Sequence, residues 1–154
     1  MNEPLDLVAA VRGDPSLILH MVYTLDGAYV PAVVRKPSGS GPFPAVMCLH
    51  GGSGGLGHAF LVDQMHERGW LFDRLVEEGY LVCLTEGRME REDAYGTGFP
   101  GVLDHQDVVE VFRYLQRLSD VDAGRVGTFG VSHGGELQLK LISEIGGGPA
   151  AMVP

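Results

Sequence analysis

Gly130-Val131-Ser132-His133-Gly134 places a serine between two small residues, directly after a β-forming run and directly before a helical one. On so sharp a turn the hydroxyl stands clear of the sheet, available to attack a carbonyl carbon. Gly130 and Gly134 keep neighbouring backbone from clashing there. The helix that follows points its N-terminus at the site, where its dipole favours developing negative charge. The backbone N–H of His133 is then one natural donor to an oxyanion.

A second match, Gly51-Gly52-Ser53-Gly54-Gly55, lacks that setting. Ser53 is followed by Gly54, Gly55, Leu56 and Gly57, too flexible to enter a helix at once, so the nucleophile is expected at Ser132. The His50-Gly51-Gly52 loop suits a different role, bringing a backbone N–H close to a substrate oxygen. The expected donor is Gly52, with Ser53 as the neighbouring option, and His50 holds the loop by hydrogen bonds.

These turns need a frame. Leu17 to Thr24 and Tyr29 to Lys36 are predicted strands joined at the hairpin signal Asp26-Gly27. Pro31 suits an edge position. Ala45–His50 and Tyr80–Thr85 are continuous apolar runs, expected of strands buried on both faces. Arg125–Gly130 is a fifth strand, and the residues from Ala150 onward open a sixth. Helical spacing links Leu61, Met65, Phe72, Leu75 and Val76, with Gly69 as a break and Gly79 as the stop. Val108, Val111, Phe112, Leu115 and Leu118 mark a second helical segment, and Leu137, Leu141 and Ile145 a third. The result is a β-hairpin followed by a mostly parallel βαβ sheet. Both Gly-rich loops fall at carboxyl ends of parallel strands, where such sheets carry their chemistry.

Composition sets limits. The chain has 154 residues, 45% hydrophobic, enough for one core. It is expected to be a single domain, incomplete at its C-terminus, with residues 1–15 as a loose lead-in. The net charge of −9, from 11 Lys+Arg against 20 Asp+Glu, disfavours nucleic acid and anionic membrane as partners. No apolar run reaches the ~18 residues of a membrane span, and the acidic N-terminus is no secretory signal. Cys48 and Cys83, within apolar runs, are expected as buried free thiols of a cytoplasmic protein, although one disulfide is also compatible. No metal-ligand spacing is present, so no metal is expected. Trp70, Phe72 and Phe112 are expected in the core. Glu86 to Asp93 is expected as a solvated charged loop, unless Arg88 or Arg91 meets an anionic substrate group.

The order H-G-G-x-G-G from His50, E-E-G-Y-L-V from Glu77 and D-x-x-R-V-G-x-x-G-x-S-x-G-G from Asp122 resembles α/β-hydrolases of the dienelactone hydrolase and prolyl oligopeptidase kind. The resemblance runs from about Tyr23 onward. It implies the α/β-hydrolase fold and serine-hydrolase chemistry on a carboxylic ester, lactone or peptide. It places the nucleophile at Ser132, and the oxyanion hole at His133 N–H and the Gly52 region. No cofactor is implied, and the partner is a small ester or peptide. Dienelactone hydrolases typically carry Cys at the nucleophile, so Ser132 favours the esterase or peptidase branches.

In this fold the triad acid and histidine follow the serine along the chain. Only 22 residues follow Ser132, with Glu136 and Glu144 on the nucleophile helix and no histidine besides His133. The triad Asp and His are therefore expected beyond Pro154, and the sequence is taken as C-terminally truncated. A triad within the chain can be written from Ser53, Asp93 or Asp104, and His105 or His133. Asp104 and Asp107 are better explained as first-turn acids and His105 as a solvated side chain. Two alternatives remain. The first is a non-catalytic fragment or binding module with an open sheet edge. The second is a dinucleotide site at Gly52-Ser53-Gly54-Gly55-Leu56-Gly57, with Glu86 as the ribose acid. Glu86 lies 29 residues past Gly57, against a typical ~20.

Overall fold

The computed structural model describes residues 6–52, 56–88, 102–146 and 152–153. The chain runs α1 (Leu7–Gly13), β1 (Leu17–Tyr23), β2 (Tyr29–Arg35), β3 (Phe43–Leu49), α2 (Gly57–Glu67), α3 (Gly69–Glu77), β4 (Leu81–Thr85), α4 (Val102–Arg117), β5 (Val121–Gly130), α5 (His133–Glu144) and β6 (Met152–Val153). The strands form one sheet in the order β1-β2-β4-β3-β5-β6. β1 and β2 are an antiparallel hairpin, and β2 runs antiparallel to β4. β4, β3, β5 and β6 are parallel. The expected hairpin and parallel sheet are both present, and β6 begins the sixth strand beside β5.

The period-two geometry of a strand explains why β3 and β4 are apolar throughout. Ala45, Met47, Leu49, Leu81 and Cys83 pack on one face with Val108, Val111, Phe112 and Leu115 of α4 and Leu137 and Leu141 of α5. Cys48, Val82 and Leu84 pack on the other with Leu61, Val62 and Met65 of α2 and Phe72 of α3. Helices therefore cover both faces. Cys48 and Cys83 are free and buried, on opposite faces of the sheet. No helix of the described residues is long and apolar enough to cross a membrane.

Several expectations are corrected. Within the lead-in, residues 7–13 form α1, because the Asp6 carboxylate accepts the N–H groups of Val8 and Ala9 and caps it. Pro31 is not on an edge strand: β2 is paired on both sides. The β4 ladder begins only at Ala32, one residue past Pro31, so the missing N–H lies beyond the end of that ladder. Trp70 is 78% exposed. Phe72 and Val76, four apart on α3, define its inward face, and Trp70 lies about 200° round the helix from Phe72. β5 starts at Val121 rather than Arg125, paired with Phe43 before an irregularity in the ladder.

Candidate active site

Ser132 stands between the end of β5 and the start of α5 at φ 54°, ψ −118°. It is the only non-glycine with positive φ among the described residues. Such a backbone costs on the order of 1–3 kcal/mol and persists only where its surroundings enforce it. Gly130 and Gly134 are part of those surroundings. A Cβ on Gly130 would lie 2.5 Å from the carbonyl carbon and oxygen of Gly134. A Cβ on Gly134 would lie 2.7 Å from the Leu49 carbonyl carbon and 2.8 Å from the His50 oxygen. The two glycines let β5, β3 and α5 meet without side chains between them. The Val131 N–H donates to Leu49 O at 3.2 Å, tying the turn to β3. Ser132 is exposed. Its carbonyl accepts the N–H groups of Gly135 and Glu136 and so begins α5.

The β3 loop comes against this turn. Gly51 is packed on Val131 and Ser132, and Gly52 follows, exposed and at φ 84°. The structure thus brings Ser132, His133, Gly130 and Gly134 together with Gly51, and Gly52 is the next residue along the loop. Ser53 lies outside the described residues, as do Arg91 and Asp93.

The His133 side chain has Nε2 3.9 Å from Asp104 Oδ2 and Nδ1 3.6 Å from Glu136 Oε2. Both are too long for direct hydrogen bonds. The internal triad written on Ser53 lies outside the described residues at its serine. Asp104 is an acid of the first turn of α4, as expected, and both Asp104 and Asp107 are buried, each 0% exposed. Gly87 leaves the room for Asp104, since a Cβ there would lie 2.5 Å from Asp104 Cβ.

Of the charged stretch after β4, Glu86 to Arg88 are described, and their setting corrects the expectation of a solvated loop there. Arg88 is held by two carboxylates. Its main-chain N–H and Nη2 donate to Asp107 at 2.8 and 2.5 Å, and Nη1 and Nη2 to Asp26 at 2.8 Å each. It joins the β1–β2 turn to α4 and is already occupied. These hydrogen bonds raise the guanidinium pKa, those to Asp107 most. They also hold the Asp26 carboxyl well below the usual range.

Glu86, also expected in solvent, is 2% exposed. Its carboxylate accepts the N–H of Leu56 at 3.1 Å and of Gly57 at 2.5 Å, and its Oε2 lies 3.4 Å from His50 Nε2. The acid proposed for a ribose is thus consumed by the loop's own backbone, which removes the dinucleotide reading. Sequence reasoning missed this arrangement. The available signal was a lone acid ending an apolar strand, opposite a Gly-rich loop. Among the described residues, no group of three His, Cys, Asp or Glu could hold a metal ion.

With this geometry in view, the comparisons with known proteins are specific. The family model of the X-Pro dipeptidyl-peptidases (S15 family) matches residues 26–154. The chain belongs to the S15 family. A probable dipeptidyl-aminopeptidase B from Sclerotinia sclerotiorum is 27% identical over 157 residues, 90% of this chain and 15% of that protein. Among solved structures, this S15-family chain is similar to dipeptidyl peptidase 4 of Porphyromonas gingivalis. The TM-score is 0.66 at 23% identity, over 88% of this chain and 20% of that one. A putative dienelactone hydrolase from Klebsiella pneumoniae gives TM-score 0.59 at 22% identity, over 83% and 54%. An esterase from Pyrobaculum calidifontis gives 0.62 at 19%, over 88% and 43%. The fold is that of the α/β-hydrolases, as the motifs implied. The chain spans about a fifth or less of the length of its two dipeptidyl-peptidase relatives.

Proposed function

We propose that this chain carries the nucleophile half of a serine hydrolase acting on a peptide or carboxylic ester. The observation that carries the reading is the strained backbone of Ser132, held between β5 and α5 with Gly51 packed behind it. In this reading the Ser132 hydroxyl attacks the substrate carbonyl. Its proton passes to a histidine supplied, with its acid, from sequence beyond Pro154. The tetrahedral oxyanion is met by the N–H groups of His133 and Gly52, at the positive end of the α5 dipole. The leaving amine or alcohol departs with a proton, and water then clears the acyl-enzyme. This chemistry calls on no cofactor.

Family membership suggests the substrate to try first, a dipeptide ending in proline carried on a longer peptide. The test uses the protein expressed from its natural gene, assayed on glycyl-prolyl p-nitroanilide and on p-nitrophenyl acetate. Ser132→Ala is expected to abolish turnover of whichever substrate is cleaved. Unchanged turnover in that variant sinks the assignment. Cleavage of the acetate alone keeps the hydrolase and rejects the X-Pro substrate.

A further inference from the structure

Glu86 ends β4 with its side chain buried, and its carboxylate reaches across to the loop that leaves β3. Oε2 accepts Leu56 N–H at 3.1 Å and Oε1 accepts Gly57 N–H at 2.5 Å. Those are the amides at the start of α2, which has no cap from a side chain at its own N-cap position. The same Oε2 faces His50 Nε2 at 3.4 Å. His50 is itself 4% exposed, with Nδ1 3.0 Å from the Gly51 carbonyl oxygen and its ring edge-on to Phe60 at 4.8 Å. One buried carboxylate thus holds the loop on both sides, at His50 where it leaves the sheet and at Leu56 and Gly57 where it enters the helix. A buried carboxylate is costly unless hydrogen bonds compensate it. Here they come from the amides of the loop it would organise.

We infer that Glu86 is a positioning residue for the turn that binds the oxyanion. By pinning His50, Leu56 and Gly57 it sets Gly51 against Ser132 and presents the Gly52 N–H to the acyl oxygen. This rests on the reading of Ser132 and Gly52 given above. Glu86 touches no substrate and acts only through the loop. A donor displaced by a fraction of an ångström loses its stabilisation of the transition state while ground-state binding is largely kept.

The experiment compares wild type, Glu86→Gln and Glu86→Asp in the protein expressed from its natural gene. Glutamine keeps the size but turns one acceptor into a donor facing other donors. With p-nitrophenyl acetate, Glu86→Gln is expected to lower kcat by about tenfold to a hundredfold with KM within about twofold. Aspartate keeps the charge and should recover part of that loss. A Ser132-dependent enzyme whose kcat is unchanged in Glu86→Gln overturns the inference. If wild-type turnover does not depend on Ser132, the parent reading fails, and amide hydrogen exchange tests the clamp without activity. The Leu56 and Gly57 amides should then exchange at least about tenfold faster in Glu86→Gln, with β3 and β4 protection unchanged. Equal exchange in the two proteins overturns the clamp, as does a loss of protection spread evenly over the sheet. Should Glu86→Gln fail to fold, Glu86→Asp is read by the same two measurements, with smaller shifts in the same direction.

Discussion

Gly51 and Ser132 lie back to back: a Cβ added to Gly51 would stand 3.0 Å from the Ser132 Cβ and 2.8 Å from the Val131 carbonyl oxygen. The two turns at the carboxyl end of the sheet therefore meet at Gly51 with no room for a side chain between them. Gly51→Ala must displace one of them. Ser132-dependent turnover is expected to fall by about tenfold or more, because a shift approaching 1 Å is costly at a reacting centre. The stability cost of overpacking is about 1–3 kcal/mol. Steady-state kinetics alongside urea unfolding separate the two effects, and wild-type kinetics in the variant would contradict the contact.

Arg88 offers a second test. Asp107 is 0% exposed and takes three of its hydrogen bonds from Arg88 side-chain atoms. Arg88→Met removes those donors and leaves a buried carboxylate with the Arg88 main-chain N–H. The expected destabilisation is about 3–5 kcal/mol, as for breaking a buried pair on one side only. Urea unfolding measures it. A cost under about 1 kcal/mol would mean that the pair behaves like an exposed surface bridge.

The two cysteines should be silent in the native state. Burial pushes the Cys48 thiol up to about 12 and raises Cys83 as well. Neither forms the thiolate that reacts. Iodoacetamide at neutral pH is expected to leave both unmodified in the folded protein and to label both after denaturation, read by intact mass. Rapid labelling of the folded protein would show that the sheet opens easily.

Asp14 predicts a dependence on acid. Burial pushes its carboxyl pKa up, but hydrogen bonds from Ser16 and the charge and hydrogen bond of Arg35 outweigh that and leave it below 3.8. A carboxyl depressed in the folded state contributes stability above its unfolded pKa, and this is lost as pH falls through the folded one. The urea midpoint of wild type should therefore fall further between roughly pH 5 and pH 3 than that of Asp14→Asn. Equal slopes in the two proteins would remove Asp14 from the acid response.

The sequence determined a good deal by itself. The hairpin at Asp26-Gly27, the apolar strands Ala45–His50 and Tyr80–Thr85, and the Gly-x-Ser-x-Gly turn are local patterns. Each is set by residues within a few positions of one another, so periodicity and turn chemistry reach them. Pairing choices and burial of polar groups are not local. That Pro31 would lie on a strand paired on both sides followed from β2 meeting β4, which no short window contains. That Asp104, Asp107 and Glu86 would be buried followed from elements 17 to 30 residues away bringing Gly87, Arg88 and the Leu56–Gly57 amides to them. A carboxylate carries the same mark in the sequence whether water or an amide will solvate it. Only the folded chain chooses between those partners, and the candidate site owes its shape to that choice.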